Sequence, residues 1–126
     1  MIKDFNKWID TVLEKDFPPE TVAVAFNLYE DTGNKWSVEL VGTSIFDAND
    51  EDWVCDEVFD TRDNTFEWQQ DTSWQEVLEE VTGILKKYLE EGKHADKLKM
   101  YQGVGAGFVD VDVWILYQNE QSKNEE

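Results

Sequence analysis

The stretch "DTSWQEVLEEVTGILKKYLEEG", residues 71–92, constrains the fold more than any other. Trp74, Val77, Leu78, Val81, Leu85, Tyr88 and Leu89 recur at helical spacing and form one apolar stripe. Ser73 with Glu76 is a capping-box signature. Glu79 and Glu80 lie early and Lys86 and Lys87 late, as the helix dipole favours. Gly92 is placed to end the helix. A helix this long and one-sided must lay its stripe on a broad apolar surface, and the flanking segments that supply one read as strands. The fold is therefore expected to be helix on sheet.

"TVAVAFNLYE" alternates Val22, Val24, Phe26 and Leu28 with smaller or polar residues, which is the period of a strand. "DTGNK" is a turn, and "WSVELVGTSIF" follows as the partner strand of a hairpin. Its alternation slips at Gly42, the mark of a bulge. "WVCDEVF" and "TFEWQQ", on either side of "DTRDN", read as a second hairpin. "GVGAGFVDVDVWILYQ" reads as one closing strand. At the N-terminus, Phe5, Trp8, Ile9, Val12 and Leu13 predict a helix that stops near Asp16, before Pro18 and Pro19. "ADKLKMY" adds a short helical turn. The expectation is a single α+β domain over residues 1–118. It has an antiparallel sheet of about four to five strands, packed by an N-terminal helix and a long central helix. Residues 119–126 read as a polar tail.

The chain has 126 residues, enough to bury a core without disulfides or metal. Aromatic residues make up 13%, too many for a disordered chain. Eleven basic residues against 29 acidic ones leave a formal charge of −18. Such a charge repels nucleic acid and anionic membranes and attracts basic proteins. The single cysteine, Cys55, excludes an internal disulfide. With no signal-like apolar core and no run of membrane-spanning length, the expectation is a cytoplasmic protein that binds neither membrane nor nucleic acid.

The charge is densest in "DANDEDWVCDEVFD", residues 47–60, with seven acids and no basic residue. Two readings follow. In one, Asp47, Asp50, Glu51, Asp52, Trp53, Asp56, Glu57 and Asp60 form a partner-binding surface, with an aromatic anchor and electrostatic steering. In the other, Trp53 and Phe59 point into the core and the acids merely face water.

Other chemistries find little footing. "GVGAG" lacks the Lys and Ser or Thr of a phosphate loop and leads into a strand. His94 has no evident partner for acid–base work. Carboxylates beside Cys55 oppose thiolate formation. One His and one Cys cannot build a usual zinc site. "DANDED" offers oxygen ligands at Asp47, Asn49 and Glu51. It lacks a calcium loop's glycine, having Asp52 there, and its closing glutamate, having Val58. Asp110 and Asp112 share one strand face and are the residues a small metal-binding enzyme would use. No cofactor and no catalytic activity are expected.

The segments "NLYEDTGNKWSVELVGTSIFDANDEDW" and "GVGAGFVDVDVWILY", set around the amphipathic helix, resemble the small acidic immunity proteins of bacterial polymorphic toxin systems. That resemblance implies a non-catalytic cytoplasmic protein that neutralises a basic toxin or nuclease domain. It also implies residues 47–60 as the toxin-facing surface. The alternatives are a stand-alone acidic interaction domain with a housekeeping role, or a small metal-binding enzyme using Asp110 and Asp112.

Overall fold

The computed structural model describes residues 4–109 and 113–119. Asp110, Asp112 and residues 120–126 of the polar tail lie outside them. The first helix, α1 (Phe5–Leu13), is followed by the hairpin of β1 (Ala23–Asp31) and β2 (Lys35–Thr43). A 3-10 turn, η1 (Glu51–Cys55), precedes two short strands, β3 (Glu57–Asp60) and β4 (Phe66–Gln69). Next come α2 (Trp74–Glu91), the one-turn α3 (Ala95–Leu98), β5 (Gly103–Phe108) and β6 (Trp114–Gln118).

The α+β class stands, and the sheet has six strands rather than four or five. It is also mixed. The spatial order is β3, β2, β1, β5, β6, with β4 pairing farther along β2. The β1–β5 pairing is parallel, and the other pairings are antiparallel. The reason lies in α2. A strand, a helix and a second strand of the same sheet give a crossover, which leaves β4 and β5 pointing the same way. Period-two alternation carries no information on strand direction.

Two local expectations also change. β3 and β4 do not form a hairpin with each other, because each pairs with its own stretch of β2. The closing strand is two strands, β5 and β6, paired antiparallel. Trp53, Val54 and Cys55 belong to η1 rather than to a strand. The slip read at Gly42 is where the β2–β3 register shifts.

One face of the sheet carries the helices. Val24, Phe26, Leu28, Trp36, Val38, Leu40, Val104 and Ala106 meet α1 and α2 in the main core. The α2 stripe is buried as its spacing requires, with Trp74 half-buried at its start against Phe108. Its N-terminus has the full capping box, with Ser73 Oγ accepting from the Glu76 N–H at 3.2 Å. At the C-terminal end of α1, Lys97 Nζ donates to the carbonyls of Leu13 and Lys15 at 2.7 and 2.6 Å. The Leu13 carbonyl is one a helix end leaves without a partner. β1 sits mid-sheet, and Ala23 through Phe26 are buried on both faces.

Candidate partner-binding face

Among the described residues, no α-helix packs on the second face of the sheet. Part of it is roofed by residues 44–56, which leave β2 and fold back across the strands. Two aromatic side chains hold this segment down. Phe46 and Trp53 pack edge to face, with ring centroids 5.0 Å apart. Trp53 is only 1% exposed and lies on Ala23, Ala25 and Val41, the small residues of this face. The glycines of "GVGAG" explain how the rings fit. A Cβ on Gly103 would stand 2.1 Å from the Phe46 ring, and one on Gly105 would stand 3.1 Å from Trp53. The glycines thus make room for rings from another segment, and the sequence signal for this was their recurrence at every second position.

Trp53 is therefore no exposed anchor, and the core reading of this residue applies. The acids around it face outward. Asp47, Asp50, Glu51, Asp52 and Asp56 are exposed. Their bonds are local. Asp47 Oδ1 accepts from the Asn49 N–H at 2.9 Å, and Asp50 Oδ1 caps η1 by accepting from the Asp52 N–H at 3.0 Å. The Asp56 carbonyl accepts from the Ser44 N–H at 3.0 Å, which ties the segment's two ends together. Among the described residues, none of these five carboxylates forms an ion pair. They form one rim of unneutralised charge above a buried tryptophan.

Glu57 and Asp60 belong to a second group, which sequence reasoning missed. At its centre is Arg62, the chain's only arginine. Its Nε lies 2.9 Å from Glu39 Oε1, its Nη2 lies 2.9 Å from Glu57 Oε2, and its Nη1 lies 3.2 Å from Asp60 Oδ2. Glu39 is fully buried beneath it, on the face opposite the main core. Tyr29 donates its phenol proton to Glu39 Oε2, and Asn27 Nδ2 donates to the same oxygen at 3.3 Å. A buried carboxylate needs such partners to be tolerated. Burial alone would lower the Arg62 pKa, but the hydrogen bond to Glu57 and the three carboxylate charges raise it above its ordinary value. Burial, followed by the bond to Glu39, pushes the Tyr29 phenol up to about 12. Asn27 and Glu39 are direct cross-strand partners, so two polar residues facing each other in an apolar hairpin were the available signal.

The remaining polar groups are dispersed. Cys55 is exposed on η1. His94, which the sequence left without a partner, sits 3.2 Å from Glu14 Oε2. That hydrogen bond holds the Glu14 carboxyl below its ordinary value. Among the described residues, no group of three or more His, Cys, Asp and Glu is arranged to hold a metal ion. No helix among them is long and apolar enough to cross a membrane. No protein-family model, curated protein or solved structure matches the chain.

Proposed function

We propose that the protein is a non-catalytic binding protein that neutralises a basic toxin or nuclease domain, as the immunity proteins it resembles do. The carrying observation is the rim at Asp47, Asp50, Glu51, Asp52 and Asp56. Five exposed carboxylates, none paired with a cation among the described residues, stand on a segment fixed by Phe46 and Trp53. Unpaired charges on a fixed support steer an oppositely charged partner and cost little to hold in place. Glu57 and Asp60 extend the acidic surface toward Arg62, where three carboxylates share one guanidinium.

The triple variant Asp50→Asn, Glu51→Gln, Asp52→Asn tests this. It removes charge and keeps the shape, with Asn still able to cap η1. Its stability should stay within about 0.5 kcal/mol of the parent, as surface substitutions do. Pull-down from the native lysate with the parent chain should capture a basic protein, and the triple variant should capture far less. The association rate of the captured partner should fall as salt rises from tens to hundreds of millimolar, since screening acts beyond about 8 Å at physiological ionic strength. Equal capture by the triple variant would overturn the reading. A housekeeping interaction domain shares the same binding physics. Expressing the captured partner without this chain decides between the two, because only a toxin then stops growth.

A further inference from the structure

The two edges of the sheet are built differently. On one side β3 and β4 carry Glu57, Asp60 and Glu67. On the other, β6 reads WILYQ, with no charge and no proline. Among the described residues β6 pairs only with β5. An uncharged edge strand is a template for another strand, and soluble proteins usually blunt such an edge with charge, proline or a bulge. Among the described residues, a register shift opposite Val104 and Gly105 is the one such device at this edge.

The side chains flanking this edge are apolar on both faces. Ile115 pairs with Gly105 on the helix-free face and is 37% exposed. Trp114 pairs with Ala106 on the helix face and is 45% exposed. The Trp53 side chain of η1 reaches across the helix-free face as far as β5, the strand beside this edge. Gly105, the cross-strand partner of Ile115, is the residue whose missing side chain leaves room for Trp53 of η1. Glu51 and Asp52 stand in the first turn of that same η1.

We propose that β6 accepts an extended basic segment of the partner protein as an added strand. Apolar side chains of that segment cover Trp114 and Ile115, and its lysines or arginines answer the chain's net charge of −18. This is β-augmentation, in which main-chain bonds give affinity and alternate side chains give specificity. The occupant follows from charge, because a second copy of this chain would bring a further −18 to the same edge. The inference rests on the reading that the partner is basic.

The test uses three short synthetic peptides: alternating Lys and Val, the same peptide N-methylated at every second amide, and alternating Glu and Val. Each is titrated into the full chain by calorimetry, with amide hydrogen exchange read by NMR. The plain Lys/Val peptide should bind about tenfold or more tighter than either control and slow exchange in β6. Ile115→Lys should weaken it by about tenfold, the worth of one buried aliphatic side chain. Gln75→Lys, the same change of charge class on exposed α2, should not. Ile115→Thr, which keeps a β-branched residue, replaces Ile115→Lys if that variant fails to fold. Equal binding by the N-methylated peptide, protection away from β6, or equal binding by the Glu/Val peptide would overturn the proposal. So would dimerisation of the chain through β6. None of these readings depends on a toxin, so failure of the lysate experiment and failure of strand addition are separate outcomes.

Discussion

Replacing Trp53 with alanine separates a core tryptophan from a binding one. The side chain is 1% exposed and rests on Ala23, Ala25 and Val41, with Phe46 against its edge. A buried tryptophan removes up to about 250 Å² from water, so at about 25 cal/mol per Å² its burial contributes at most about 6 kcal/mol. Measured truncations of this kind cost about 3 to 5 kcal/mol, depending on how far the site collapses. Residues 44–56 are otherwise held by few bonds, chiefly Ser44 N–H to the Asp56 carbonyl and Thr43 Oγ1 to the Ile45 carbonyl. The segment can therefore settle into the gap, and the expected loss is near the lower end, about 3 kcal/mol. The variant should still fold at 25 °C, since domains of this size have about 5 to 15 kcal/mol in hand. Urea unfolding followed by far-UV circular dichroism measures the loss as a shifted midpoint. Trp114→Ala, at the exposed edge, serves as the control and should cost under about 1 kcal/mol. A Trp53→Ala loss below about 1 kcal/mol, with an unchanged urea slope, would show that Trp53 does not hold the segment.

Gly103→Ala drives a methyl group into the Phe46 ring and should cost about 1 to 2 kcal/mol. In a Phe46→Ala background the cost should shrink by at least about 0.5 kcal/mol, and strict additivity in the double-mutant cycle would refute the contact. Arg62→Ala strips the cation from buried Glu39 and should cost about 1 to 3 kcal/mol by thermal or urea unfolding. That is less than for a fully buried pair, because Arg62 is 52% exposed. Arg62→Lys should restore only part of it, since an ammonium cannot span three carboxylates as a guanidinium does. A stability unchanged in Arg62→Ala would show that Glu39 is satisfied by Tyr29 and Asn27 alone. The Tyr29 phenol should ionise near pH 12 rather than near 10, in a titration followed by absorbance at 295 nm. Its pKa is raised on folding, so its contribution to stability is whole below pH 10 and is lost as pH climbs toward 12. Glu39→Gln should bring that ionisation earlier, and a native Tyr29 titrating near pH 10 would contradict the bond.

Local physics was readable along the chain. The α2 stripe, its capping box and the β1–β2 hairpin stand where spacing and turn chemistry put them, because each depends on residues close in sequence. Contacts between distant residues were not readable. Glu39 and Arg62 meet only because β3 pairs beside β2, and "ELV" and "DTR" contain no trace of that pairing. "GVGAGFVDVDVWILYQ" reads as a single run, so a period-two pattern does not mark its division into β5 and β6. In the candidate site, the charge of residues 47–60 was plain from composition. Their division into a rim above Trp53 and a group around Arg62 required the fold.

The segment over the helix-free face has its rings turned inward and its acids turned outward. Under the proposed function, stability and recognition would therefore fall to different residues within ten positions of each other. A lineage whose target changed its surface could redraw Asp47, Asp50, Glu51, Asp52 and Asp56 one at a time, each step close to neutral for folding. Phe46, Trp53 and the two glycines beneath them would be held fixed throughout. Variation concentrated on the outward set and constancy on the inward set is the pattern an arms race would leave on this stretch.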